Sequence, residues 1–236
     1  MDAGELLGVG RSADVYALDD AWVLRRYRGG GDAAAEAVVM AYLAEHGYPV
    51  PKLRPHTHAG DLASTRSDLV MERLSGPSMR EALWQGGITG KAAGAMLAAL
   101  LQRLHTIPAR LSEDAGRRVL HLDLHPDNVM LTPRGPMVID WGNVEEGPPG
   151  LDWAMSALIL AQVAVTPGVE ASVARAGLTA MLERRDRAID LGDAGTGFLA
   201  QARLRRAADP NLTSREVGVL HRAVQLVVEV TGAERG

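Results

Sequence analysis

His121-Leu-Asp-Leu-His-Pro-Asp-Asn128, followed by Val138-Ile-Asp-Trp-Gly142, is the stretch that decides how this chain folds. Asn128 stands five residues after Asp123, and Asp140 seventeen after it. A carboxylate such as Asp123 can accept a proton from an attacking hydroxyl. Asn128 and Asp140 offer oxygens to a hard cation such as Mg²⁺, which takes one or two protein ligands and fills its shell with phosphate and water. Between them, Val129-Met-Leu131 and Met137-Val-Ile139 are short apolar runs joined by Thr132-Pro-Arg-Gly-Pro136, the pattern of a β-hairpin. Such a hairpin brings its ends together, with Asn128 entering and Asp140 leaving. Any one of these residues suits an ordinary turn. The full set, in this order, is one that phosphoryl transfer uses.

The rest of the chain is consistent with a soluble enzyme. It has 236 residues, 47% of them hydrophobic, enough for one large domain or two lobes with a real core. The net charge of −4 gives no electrostatic footprint for nucleic acid. No run of eighteen apolar residues and no basic-then-apolar leader is present, so no membrane partner and a cytoplasmic location are expected. The absence of cysteine excludes disulfides, thiolate metal sites and a cysteine nucleophile. Arginine outnumbers lysine 23 to 2, the lysines being Lys52 and Lys91.

The motif H-x-D-x-x-x-x-N followed by I-D-W-G resembles the catalytic core of the aminoglycoside phosphotransferase and choline kinase-like family, which shares its fold with protein kinases. The resemblance implies an α+β, bilobal, protein-kinase-like fold: a small antiparallel β-sheet N-lobe with one helix, then a mostly α-helical C-lobe. It places the nucleotide-binding lobe and hinge in residues 1–74 and the catalytic and acceptor-binding lobe in 75–236. ATP (or GTP) and Mg²⁺ would bind in the cleft, and the γ-phosphate would pass to a hydroxyl of a small molecule, an aminoglycoside or related metabolite. By motif match Asp123 is the base, and Asn128 and Asp140 hold the metal. His125 stands where protein kinases carry a phosphate-binding lysine, so it either touches the transferring phosphate or braces the loop. His121 and His105 are expected to brace.

The N-terminal half fits. Leu7-Gly-Val-Gly-Arg-Ser-Ala-Asp-Val15 reads as strand, glycine turn, strand, whose Gly8 and Gly10 let backbone approach phosphate. Ser12 could donate to phosphate, or serve a plain turn. Ala13 replaces the third glycine of the fuller pattern. No G-K-[ST] follows and no helix opens here, so Walker and Rossmann readings fail. Ala21-Trp-Val-Leu-Arg-Arg-Tyr27 is a strand of alternating faces, and Arg25 occupies the place of the kinase lysine, with Arg26 pointing to solvent. A guanidinium is a planar fork and an ammonium a point charge, so the phosphate geometry is altered. Asp32 caps a helix that ends at Gly47, with Val39, Tyr42 and Leu43 on its packing face and Glu36 as partner for Arg25. Ser67-Asp-Leu-Val-Met-Glu-Arg-Leu-Ser-Gly76 matches the family's hinge: Met71 lines the pocket, and the Glu72 carbonyl and Leu74 amide meet the base edge.

Helices are expected over 89–105, 153–165, 169–187, around 198–208 and over 214–230. Leu122 precedes Asp123 where protein kinases have arginine, and only eleven residues separate Asp140 from Asp152. That is too short for an activation segment, so a small-molecule acceptor is expected. Asp152 resembles a family residue that caps a helix and bonds the catalytic loop. Glu145, Glu146, Asp186, Asp190 and Asp193 could meet a cationic acceptor, or be solvated. The 4% aromatic content disfavours a cage for choline. Arg25 and the short acceptor region leave an alternative: a nucleotide-binding protein of this fold with little or no kinase activity. The oligomeric state is not written in the sequence.

Overall fold

The computed structural model describes residues 4–10, 12–28, 33–54, 67–192 and 195–233. The chain divides into two compact units, residues 1–76 with 130–144, and residues 77–129 with 145–236. The first is built on an antiparallel sheet and the second is mostly helical, which is the α+β kinase-like class expected.

In the first unit, β1 (Leu6–Val9), β2 (Ala13–Ala17), β3 (Trp22–Tyr27) and β4 (Asp68–Glu72) form a sheet in that order. Asp19 turns β2 into β3 by accepting from the amides of Ala21 and Trp22, an Asx turn. The register sets Arg25 opposite Val15 and Leu69, and Arg26 opposite Asp68. Arg26 is therefore not simply solvated: its Nε and Nη2 donate to the two oxygens of Asp68, each at 2.8 Å.

Among the described residues of this unit the one α-helix, α1 (Ala33–Glu45), buries Ala33, Glu36, Met40 and Leu43. Val39 and Tyr42 are only half-buried, so the inward face lies one step round from the expected one and carries Glu36 with it. The expected N-cap, Asp32, lies outside the described residues. At the other end Gly47 has φ +72°, while Tyr48 and Gly47 donate to the carbonyls of Leu43 and Ala44. This pair of bonds is a Schellman ending, which needs a left-handed residue and so favours glycine. Pro49 then accepts from Val138, and residues 52–54 run along β4. The hairpin read from sequence is β6 (Val129–Thr132) with β7 (Gly135–Val138).

In the second unit the short α2 (Met79–Trp84) opens on a capping box, Ser78 with Glu81. Next comes α3 (Gly90–Leu104), capped by Thr89. Its Leu97, Leu100, Leu101 and Leu104 are buried, each contributing about 1.5–3 kcal/mol. β5 (Arg118–Leu120) pairs with β8 (Glu145–Gly147), and α4 (Pro149–Val165) follows. Around α4 stand α5 (Ala171–Leu182), α6 (Gly197–Ala208) and α8 (Leu220–Ala233), with α7 (Ser214–Gly218) leading into α8. Among the described residues no helix is long and apolar enough to cross a membrane.

α3 packs tightly on α5 where Gly94 meets the backbone of Gly177. A Cβ on Gly94 would run into that backbone. Gly94→Ala should gain about 1 kcal/mol in helix propensity, but forcing the helices apart costs about 1–3 kcal/mol. We expect a net loss, read as a lower urea midpoint; an unchanged or raised midpoint would show that the helices part freely.

Candidate active site

Two clusters form, one in each unit. In the first, Arg25 lies in mid-strand with its side chain only 6% exposed. Nη1 donates to Glu36 Oε1 at 2.9 Å, and Nη2 to Asp140 Oδ1. Burial opposes the positive charge, yet the Asp140 and Glu36 carboxylates more than offset it and raise the pKa above an ordinary arginine's. Glu36 is a hub. Besides Arg25 it accepts from the Tyr27 hydroxyl and, at 2.9 Å, from the Trp141 amide. Burial and the Glu36 charge push the Tyr27 pKa up, so it stays a neutral donor.

Asp140 adopts φ +65°, and its side chain is 39% exposed. A Cβ on the neighbouring Gly142 would stand 3.1 Å from the Tyr27 hydroxyl, which accounts for a glycine there. Trp141 is fully buried, its indole edge-on to Tyr48 and its Nε1 donating to the Val138 carbonyl. The I-D-W-G run is thus locked by its tryptophan and its backbone while the aspartate stays partly open.

The other residues expected at the nucleotide lie around the β1–β2 turn and at the end of β4. Gly10 donates to Ala13 and closes the β1–β2 turn, while Gly8 and Ser12 are exposed. Arg11 lies outside the described residues. Met71 is buried, Leu74 is half-buried, and the Glu72 carboxylate is taken by Arg134 at 2.6 Å.

In the second unit the loop that carries Asp123 is held by Asp152. Its Oδ2 accepts from the His121 amide at 3.0 Å and from His105 Nε2 at 3.0 Å; its Oδ1 accepts from the Leu122 amide at 2.8 Å. Asp152 is not the cap of α4, as the sequence had suggested. Pro148 holds that position, and Asp152 sits in the first turn, where it bonds the loop as the resemblance implied. Burial would raise its pKa; the His105 and His121 contacts outweigh that and hold it below the usual carboxylate range. These bonds fix Leu122 at φ +62°, a left-handed conformation that costs a leucine about 1–3 kcal/mol.

Beyond that bend, Asp123 receives the Nδ2 of Asn128, at 2.8 Å on its carbonyl and 3.2 Å on Oδ2. Its own amide donates to His121 Nδ1 at 3.2 Å, so His121 braces the loop as expected. His125 stands immediately before the 3₁₀ turn Pro126–Asn128, with Nε2 3.6 Å from Asp123 and Nδ1 3.5 Å from Asp127. Burial alone would lower its pKa, but the two carboxylates raise it to about 9. A protonated ring donates from both nitrogens, so the Asp127 amide and the Asn128 Nδ2, each 3.4 Å away, are neighbours and not donors to it. Asp123 is half-buried, and desolvation would raise its pKa, yet His125, His121 and Arg206 hold it below the usual value. It is a carboxylate at neutral pH.

The profile of the phosphotransferase enzyme family matches residues 4–118 and 107–188, most of the chain. The chain belongs to that family. As a phosphotransferase it is a small-molecule kinase. No curated protein sequence matches it. Among solved structures, its fold is similar to amicoumacin kinase hAmiN in complex with AMP-PNP, Ca²⁺ and Ami, at 17% identity and TM-score 0.53, covering 97% of this chain and 88% of that one. It is likewise similar to APH(2")-IIa with gentamicin, at 12% identity and TM-score 0.56, covering 97% and 89%. ADP-bound APH(2'')-Ib gives 12% identity and TM-score 0.54, covering 98% and 95%.

One residue beside Asp123 is not revealed by the motifs. Arg206 on α6 is buried, its Nε on Gln162 Oε1 at 3.0 Å and its Nη1 3.9 Å from Asp123 Oδ1 and 3.7 Å from Asp209. Its signal is in the periodicity: the buried positions of α6 are Leu199, Ala202 and Arg206, which sets an arginine on the apolar face. Four of the five carboxylates expected near a cationic acceptor have internal partners. Glu145 pairs with Arg205 at 2.7 Å, and Glu146 clasps the amides of Arg110, Leu111 and Ser112. Asp186 and Asp190 accept from the amides of Ala188 and Gly192 in their own turns, and Asp193 lies outside the described residues.

Proposed function

We propose that this phosphotransferase moves the γ-phosphate of ATP (or GTP) to a hydroxyl of a small molecule, with Asp123 as base and Asn128 and Asp140 holding Mg²⁺. The carrying observation is the loop around Asp123: an ionised carboxylate on a backbone fixed by Asp152, tied to Asn128 through Nδ2. Because Asn128 spends its NH₂ on Asp123, its carbonyl oxygen is the end left for a cation. Asp140 supplies a second oxygen, and two oxygen donors suit Mg²⁺. No cluster of three or more acidic, histidine or cysteine side chains among the described residues could hold a metal by itself, which suits an ion that completes its shell from phosphate and water. The bound ion would neutralise charge on the phosphates.

The residues then divide the work. Asp123 orients the acceptor hydroxyl and takes its proton. A carboxylate held below its usual pKa is a weak base, which suffices because the loose transition state of phosphoryl transfer calls for proton removal late. His125 brings positive charge beside it, toward the transferring phosphate. Arg25, fixed by Glu36, meets the α- and β-phosphates, and the amides around Gly8 and Gly10 with Ser12 cover them. Met71 lines the base pocket, with the Glu72 carbonyl and Leu74 amide on the base edge. Residues 1–74 would serve the nucleotide and 75–236 catalysis and the acceptor, in the cytoplasm. AMP-PNP, Ca²⁺ and ADP in the similar kinases support a nucleotide and a divalent cation. Gentamicin and amicoumacin there make antibiotics the first acceptors to try.

One observation favours the alternative, a nucleotide-binding protein with little transfer: Arg25 already pairs with Asp140. Both readings meet in a thermal-shift titration with Mg²⁺ and ATP, GTP or neither, beside Asp140→Ala. Binding at a hundred times Kd adds about 2.7 kcal/mol, several degrees for a chain of this size. A metal-dependent rise that Asp140→Ala removes is expected. No rise with either nucleotide would end the nucleotide reading, and a rise without turnover on any hydroxyl acceptor would favour the alternative.

A further inference from the structure

We propose that Arg25 is a built-in competitor for the metal at Asp140: its guanidinium holds the carboxylate until nucleotide phosphates draw it away. The idea rests on the assignment of Asp140 as a metal ligand. It begins with the shape of the side chain. A guanidinium fork reaches two carboxylates with separate nitrogens, here Glu36 through Nη1 and Asp140 through Nη2. An ammonium carries its three N–H donors on one nitrogen, so it bridges two carboxylates only by drawing both to a single point. The arginine at this position, in a chain with two lysines, is therefore what makes the bridge.

The two ends of the bridge differ in how firmly they are held. Glu36 is 2% exposed and receives Arg25, the Tyr27 hydroxyl and the Trp141 amide. Asp140 is 39% exposed. When the bridge opens, it opens at Asp140, and Arg25 remains on Glu36. A divalent ion arriving alone must displace a buried guanidinium and then sit beside its positive charge. Polyphosphate supplies negative charge for both cations at once. Metal and nucleotide should then bind with positive coupling, part of which comes from this protein-borne cation.

The test is Mn²⁺ binding, followed by electron paramagnetic resonance and calorimetry with and without ADP, in the wild type, Arg25→Lys, Arg25→Gln and Asp140→Asn. Arg25→Lys keeps a charge on Glu36, and Arg25→Gln leaves Glu36 its tyrosine and amide donors. Either variant, checked for folding by circular dichroism, carries the experiment. The expected result is that Mn²⁺ alone binds about fivefold or more tightly to both variants, that the Mn²⁺–ADP coupling shrinks, and that Asp140→Asn binds Mn²⁺ far more weakly. If the Arg25 variants bind Mn²⁺ alone no better than wild type while Asp140→Asn loses it, the competitor idea is overturned and the metal assignment stands. If Asp140→Asn binds Mn²⁺ like wild type, the metal assignment fails and takes the competitor with it.

Discussion

Asp123→Asn is expected to lower kcat about 10²–10⁴-fold, the usual worth of a positioned base. Asparagine has the same shape and still offers an oxygen to Asn128 Nδ2, so the loop should persist. The change removes the negative charge and the ability to take a proton. His125 and Arg206, which face that carboxylate, each lose one of two counter-charges in the same step, keeping Asp127 and Asp209. Nucleotide affinity, measured by calorimetry, should change by less than about twofold, because the Gly8–Gly10 turn and Arg25 belong to the other unit. Turnover within about threefold of wild type would remove Asp123 from the role of base.

Asp152→Asn should give the largest loss of stability. The wild-type carboxylate is fully buried and accepts from two backbone amides and His105. An asparagine presents one oxygen and one NH₂, so a donor would face a donor. Breaking such a buried charged group costs about 3–5 kcal/mol. The pH dependence has a definite sign. The folded pKa of Asp152 is depressed, so the unfolded state binds its proton more readily. The stabilisation is fully present above the unfolded carboxylate value of about 3.9 and is lost as pH falls through the lower folded value. Urea midpoints of wild type and variant should therefore differ by a constant amount above about pH 5 and converge in acid. Parallel acid limbs would place the stabilisation elsewhere.

What was legible in the sequence follows a simple physical division. Local chemistry shows: the capped α3, the β6–β7 hairpin around Thr132-Pro-Arg-Gly-Pro136, and the glycine at the end of α1. Arg25 and Glu36 were legible through the resemblance, which has a cation at that place in the third strand and a glutamate on the next helix; the helix period by itself pointed to a face one step away. Three-residue strands have none, so β5 and β8 went unseen. The region 214–230 read as one helix because its propensity is continuous, whereas the chain breaks at Val219 between α7 and α8. Thr213 and Glu216 announce only where it starts. Side-chain pairing across long separations leaves no periodic trace. Arg25 reaches Asp140 across 115 positions, and Asp152 turns to Leu122 across 30. Whether a carboxylate caps its own helix or serves a distant loop is settled by packing, which no local pattern encodes.

Helix α4 has a consequence for how the chain is made. Residues 150–162 are buried without interruption, so this helix has no polar face to offer water. Its covering helices α5, α6 and α8 all lie later in the chain. On a ribosome adding about 5–20 residues per second, α4 emerges as a bare apolar rod and waits several seconds for its coat. That interval sets a demand for chaperone capacity during translation, and a stalled or truncated transcript would leave an aggregating product.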